Sequence, residues 1–243
     1  IFTLSLFLLN SHVKSADISL FSHTSNIGSA GLGSSPAPVL ISITADDIDA
    51  LGGFPLKRSY YALLIKRLAK YNVQAIGIEL LFARVDTVAD YYDQILQKEI
   101  TAAGNVFLTL PPESLTPDKN NASAGFRAAG YGHLNYAEEE TAVIPSRLYE
   151  GGNIYPAFSV ALTGNQYARE EIRVNFTHSF AAFAQYSLVE FFRLDTNSPD
   201  SLAHLKNKII IIGVTDEKYS QKIYSHREGV VPGLALHGFA AEN

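Results

Sequence analysis

The residues most able to do chemistry in this chain are carboxylates placed just past short apolar runs. Asp46 and Asp47 follow VLISI (39–43), Glu79 ends AIGI (75–78), Asp86 lies in the next loop, and Thr215 and Asp216 follow IIIIG (209–213). If those runs are parallel strands, their C-terminal ends share one edge, which is where open α/β sheets bind ligands. Carboxylates converging there could hold a cation, or hydrogen-bond an amine or a polyhydroxylated compound. Arg58 and Arg147 are the candidate partners of Glu79, because a carboxylate ending an apolar strand must find a partner or solvent. The candidate ligand-binding set is Asp46, Arg58, Glu79, Asp86, Thr215 and Asp216. Each also has a plainer reading. Asp residues after strands often cap helices and organise turns, and arginines mostly lie on the surface.

Enzymatic motifs are missing from the sequence. Gly28, Gly31 and Gly33 precede a strand, whereas a dinucleotide loop follows one. There is no Gly-Lys-Ser/Thr phosphate loop and no Gly-x-Ser-x-Gly nucleophile elbow. The histidines at 12, 23, 133, 178, 204, 226 and 237 never pair at i, i+4, so helical zinc spacing is absent. With no cysteine, disulfides, thiolate metal sites and thiol catalysis are excluded. A net charge of −5 without a basic stripe argues against nucleic acid as a partner. An acidic pair after the first strand also occurs in phosphoacceptor receiver domains. The third strand here ends in Leu108-Thr109-Leu110-Pro111, without the aspartate a receiver needs, and no lysine ends the fifth. That reading is rejected. No catalytic residue, metal or cofactor is assigned.

The elements that must position these residues follow from hydrophobic periodicity. Four consecutive isoleucines in LKNKIIIIG (205–213) read as a strand buried on both faces, the kind found inside parallel sheets. Strands are expected at 39–43, 75–78 and 105–110, with a helix after Ser59 and another over about 88–103, ended by Gly104. Strand, helix, strand, helix, strand is the signature of right-handed parallel crossovers. Residues 44–58 and 215–229 read as polar loops, and 131–136 with 142–145 as a hairpin-like strand pair. A helix is expected at 155–163, a strand at 172–176, a helix at 187–194 and a Pro232-Gly233-led helix at the C-terminus. The fold class is α/β, a mainly parallel central sheet flanked by helices with a few antiparallel additions.

Residues 1–38 read as an N-terminal segment and linker, and 39–243 as the folded domain. The run IFTLSLFLL (1–9) is shorter than the roughly 20 residues that span a bilayer. It fits the end of a membrane anchor or the apolar region of a signal peptide, or else an amphiphilic strand or helix packed on the domain. The chain has no methionine, even at position 1, and so reads as a fragment of a longer product.

Four blocks give the chain a family resemblance. They are ISITADDIDALGGFPLKRSYYALLIKRLAKYNVQAIGIELLF (41–82), AGYGHLNYAEEETAVIPSRL (129–148) with NIYPAFSVAL (153–162), VNFTHSFAAFAQYSLVEFF (174–192), and LKNKIIIIGVTDE (205–217) through VPGLALHGFAAEN (231–243). In this order they resemble a CHASE domain of the second type, the extracytoplasmic sensory module of bacterial cyclases and histidine kinases. The chain departs from the family pattern in three places. Glu79 stands where Asp is usual, Gly238 follows His237 where Ala is common, and Thr-Pro is missing before Pro232.

The resemblance implies a ligand-sensing input domain, the periplasmic or extracellular part of an inner-membrane receptor. Membrane helices would flank it, and a cytoplasmic cyclase or kinase output would follow. The partner would be a small extracellular ligand of unknown identity, with a homodimer left open, and the fragment itself would not be an enzyme. Two alternatives stay in view. One is a soluble hydrolase-like α/β enzyme using the carboxylates, and the other is a ligand-free dimerisation or interaction module.

Overall fold

The computed structural model describes residues 37–82, 89–110, 125–136, 143–150, 153–164 and 170–242. In chain order the strands are β1 (Val39–Ile43), β2 (Ala75–Ile78), β3 (Val106–Leu110), β4 (Gly130–His133), β5 (Val143–Pro145), β6 (Arg147–Glu150), β7 (Asn153–Pro156), β8 (Glu171–Arg173), β9 (Gln185–Ser187), β10 (Ile209–Val214), β11 (Lys222–Ser225) and β12 (Gly229–Pro232). The helices are α1 (Ala45–Ala50), α2 (Arg58–Ala69), α3 (Ala89–Ala103), α4 (Phe158–Thr163), α5 (Leu188–Asn197) and α6 (Gly233–Glu242). The central sheet has the order β4-β3-β2-β10-β1-β9, and every pairing in it is parallel. Three antiparallel pairs, β5-β8, β6-β7 and β11-β12, complete the α/β architecture.

The isoleucine run explains why the sheet is covered on both faces. Successive side chains of a strand point to opposite sides. Ile210 and Ile212 enter one core with Leu64, Ile65 and Leu68 of α2, Leu96 and Ile100 of α3, and Leu188 and Phe191 of α5. Ile209 and Ile211 enter the other core with Phe158 and Leu162 of α4 and Leu234, Leu236 and Phe239 of α6. Each core needs only alternate residues, so a strand serving both is apolar throughout. β10 lies between β2 and β1, at the centre, as its composition requires.

Several local expectations are corrected. Residues 131–136 and 142–145 do not pair with each other: β4 adds to the main sheet beside β3, and β5 pairs with β8. The strand expected at 172–176 is this short β8, outside the central sheet, while the unexpected β9 extends the sheet beside β1. β11, inside the 215–229 segment, pairs with β12 at and beyond its end to form a hairpin. Tyr155 and Pro156 belong to β7, so the helix there starts only at Phe158. Residues 1–36 lie outside the described residues, and with them the N-terminal apolar run.

The acidic loop after β1 contains α1, and Asp47 explains why. Thr44 caps the helix with its side chain accepting from the Asp47 N–H, while the Asp47 carboxylate accepts from the Thr44 N–H at 2.9 Å. The same carboxylate accepts from the N–H groups of Leu188 (3.2 Å) and Val189 (2.9 Å) and from Ser187 Oγ (3.1 Å). Asp47 thus satisfies orphan donors at the start of α1 and α5 together. Asp47→Ala should cost about 2–4 kcal/mol, the loss of a cap plus buried unpaired donors. Asp46→Ala, at an exposed position, should stay within about 0.5 kcal/mol. Chemical denaturation midpoints of the two variants check this contrast.

A second polar tie joins the other ends of two helices. Asp195 of α5 is buried, pairs with Arg67 and Lys70 near the end of α2, and accepts from the Tyr71 hydroxyl at 2.7 Å. Its hydrogen bonds from Arg67 and Tyr71 and the charge of Lys70 outweigh its desolvation and hold its pKa low. Together Asp47 and Asp195 pin α5 along the sheet face.

Candidate functional site

Parallel strands end with their carbonyl edges exposed, and the chain that follows each end can carry polar groups into the crevice. Glu79 is such a group. It follows β2, donates its N–H to the Ile212 carbonyl at 2.8 Å, and so continues the ladder one residue beyond the strand. Its side chain is 8% exposed, and Oε2 has no hydrogen-bond partner. Burial pushes its pKa from 4.5 up to about 8, with no neighbouring charge among the described residues to offset the desolvation. At neutral pH Glu79 is a protonated carboxylic acid, both donor and acceptor.

Two glycines make room for it. A Cβ on Gly213, in the neighbouring strand, would stand 2.7 Å from Glu79 Oε2. A Cβ on Gly233, the first residue of α6, would stand 2.9 Å from Oε1. The carboxyl therefore lies against two bare backbones, at the start of a helix that is buried over 233–241.

The ionisable group the structure places against Glu79 is His237 of α6. Its Nε2 lies 3.8 Å from Glu79 Oε1, too long for a direct hydrogen bond. The ring is 0% exposed and neither nitrogen has a hydrogen-bond partner. Phe158 meets it edge-on at 5.5 Å, and Tyr136 lies at 6.2 Å. Burial, reinforced by the like charge His133 would carry, lowers the His237 pKa to about 3. His133, at the end of β4, is lowered to about 4 by burial, with the Pro145 carbonyl partly offsetting it. Its Nδ1 accepts from the Asn135 N–H at 3.1 Å, so the neutral ring carries its proton on Nε2. The Tyr136 hydroxyl donates to Gln221 Oε1, and both residues flank Gly233, each 3.3 Å from where a Cβ on that glycine would stand. The result is a pair of uncharged hydrogen-bonding groups held by aromatic and glycine walls.

The other expected site residues are placed differently. Arg58 pairs with Asp93 of α3 and lies over the Phe82 ring at 5.8 Å; His237 takes the position against Glu79 that an arginine was expected to fill. Asp46 is exposed on α1. Asp216 caps a turn by accepting from the Lys218 N–H at 2.9 Å, and the Thr215 N–H donates to the Ile43 carbonyl at 3.0 Å, extending the sheet. Asp86 lies outside the described residues. Of the candidate set, Glu79 occupies a buried polar centre, while Asp46, Arg58 and Asp216 have structural or surface settings.

Sequence reasoning overlooked His133 and His237. The available signal was composition: each is a lone histidine inside a segment that is otherwise apolar, aromatic or glycine-rich, GYGH and LALHGFAA. Among the described residues no group of His, Cys, Asp and Glu is arranged to hold a metal ion, and no helix is long and apolar enough to cross a membrane.

Comparisons with known proteins agree with the resemblance read from the four blocks. The family model described as the CHASE2 domain matches residues 1–243. Neither the curated proteins nor the solved structures contain a match. The chain belongs to the CHASE2 family, whose members are extracellular sensory domains of signalling receptors.

Proposed function

We propose that this domain is the extracytoplasmic, ligand-sensing input of a bacterial transmembrane receptor. Its output would be a nucleotide cyclase or histidine kinase on the cytoplasmic side, reached through membrane helices flanking the domain. The ligand is a small extracellular molecule bound at the C-terminal edge of the parallel sheet. One observation carries the ligand reading: Glu79 and His237 are buried and 3.8 Å apart, with hydrogen-bonding atoms that lack partners. Native interiors rarely leave such groups unsatisfied, because each costs about 1–3 kcal/mol. A bound group that satisfied them would stabilise the state it binds, and differential affinity between two states is all that signalling requires.

Thermal-shift screening of the domain against small extracellular metabolites tests this. A hit should raise the melting temperature of the wild type and lose its effect in Glu79→Leu, which fills the space without polar atoms. Retention of the shift in that variant would move the site elsewhere.

A second reading rests on the two antiparallel hairpins. Tyr149 faces Ile154 across β6-β7, and Tyr224 faces Val230 across β11-β12, all four exposed. A protein partner or second copy docking there would make the domain an interaction module. Light scattering of Tyr224→Ser/Val230→Ser against the wild type separates this reading, since only an interface loses mass on mutation.

A further inference from the structure

Building on that ligand reading, we propose that the Glu79–His237 centre takes an uncharged, hydroxyl-bearing small molecule, one hydroxyl of which bridges Glu79 and His237. Ligands of the sugar and polyol class carry the required group. The proposal starts from geometry. A hydroxyl oxygen sits about 2.8 Å from each hydrogen-bond partner. Two such contacts can span the 3.8 Å between Glu79 Oε1 and His237 Nε2, which a direct hydrogen bond cannot close. A hydroxyl is both donor and acceptor, as are a protonated carboxyl and a neutral imidazole.

Charge argues the same way. An anion would need a cation beside it, and among the described residues desolvation is the cause shifting Glu79, with no lysine or arginine opposing it. A metal ion would need more ligands, and no metal-holding group occurs among the described residues. An organic cation would require Glu79 to ionise in a setting that penalises the ion. The surroundings of the pair are uncharged: Phe158 and Tyr136 present aromatic edges to His237, and Gly213 and Gly233 leave the space that the Glu79 carboxyl occupies.

Among the described residues, the titratable groups around the carboxyl are His237 of α6 and Tyr136 beyond β4, with His133 acting on His237. Glu79 is the member of this group that changes charge near pH 8. A ligand needing the protonated carboxyl should bind evenly below about pH 8 and lose about tenfold per pH unit above it. An organic cation would gain affinity as Glu79 ionised.

The experiment is thermal shift followed by calorimetric titration, with glycerol, D-ribose, D-glucose and myo-inositol as neutral probes. Putrescine serves as the cation, and citrate and phosphate as anions. The expected result is that at least one neutral probe stabilises the wild type. Glu79→Gln, which imitates the protonated acid, should keep its affinity within about threefold and retain it above pH 8, where the wild type weakens. Glu79→Leu and His237→Phe should abolish binding. If no neutral probe binds, or if Glu79→Gln loses a neutral probe that the wild type binds, the inference is overturned. If only putrescine, citrate or phosphate binds and Glu79→Leu abolishes it, the site stands and the ligand class falls. If a probe binds equally to Glu79→Leu, the site itself is wrong.

Discussion

Replacing Ile211 by Asp should leave no folded domain. Ile211 is the third of four isoleucines in β10, 0% exposed, registered between Leu40 of β1 and Gly77 of β2. Its side chain enters the core shared with α4 and α6, where Leu234 and Phe239 also pack. A carboxylate there would be surrounded by buried apolar side chains and shielded from solvent. An unpaired buried charge costs several kcal/mol, against a total stability of about 5–15 kcal/mol for a domain. The lost apolar burial adds about 2 kcal/mol more. Ile211→Val is the control, expected to cost about 0.5–1.5 kcal/mol and to fold. Soluble yield and a thermal melt decide it. A cooperative transition in Ile211→Asp near the wild-type temperature would contradict the two-sided core.

The pH dependence of stability should have an alkaline limb that Glu79→Gln removes. Glu79 is raised to about 8 from 4.5, so the folded state holds a proton that the unfolded chain has released between those values. Its contribution is full below 4.5 and is lost as pH rises through about 8. His133 and His237 run the other way. Their pKa values fall to about 4 and about 3 from 6.5, so their contribution is present above 6.5 and is lost as pH falls towards those values. The two histidines outweigh the one carboxyl below 6.5, which places the maximum from these groups near pH 6.5. From there to pH 8 the wild type should lose about 1 kcal/mol, the Glu79 loss being partly offset by the last of the histidines' gain, or about 2–4 °C in melting temperature for a domain of this size. Glu79→Gln should instead rise slightly over that range. If the variant keeps the wild-type slope, Glu79 is not the buried acid described.

How much of this was legible in the sequence depended on how strongly each segment was constrained. β1, β2 and β10 were readable because strands covered on both faces are nearly all apolar, and here they are also short and rich in β-branched residues. α2 was readable because twelve residues allow a helical stripe to repeat. α1 was not: ADDIDA makes under two turns, and its aspartates read as loop residues. β4 is GYGH and β9 is QYS, too short and too polar to show alternation, so their places at the sheet edges come from tertiary pairing alone. The hairpin β11-β12 hid for the same reason inside a polar stretch.

The candidate site shows the same division. Glu79 was legible because a carboxylate directly after AIGI has to be explained by a partner or by water. The expected partner was arginine, on the rule that buried charges are paired. The structure keeps the acid protonated instead, beside a neutral histidine. That solution needs a contact between residues 79 and 237, which no local pattern encodes. Asp46 and Asp47 were indistinguishable in sequence, and only the arrival of α5 at Asp47 separates the exposed residue from the buried cap.

The central claim is that a ligand is sensed at the Glu79–His237 pair, and the histidine reports on it directly. Labelling the domain with ¹⁵N-histidine and assigning the His237 ring by its loss in His237→Gln gives an observable at the site itself. The account predicts a ring that stays neutral down to about pH 3 and whose Nε2 resonance moves on saturation with a probe that raises the melting temperature. An unmoved His237 resonance at saturation, with the melting temperature still raised, would contradict it.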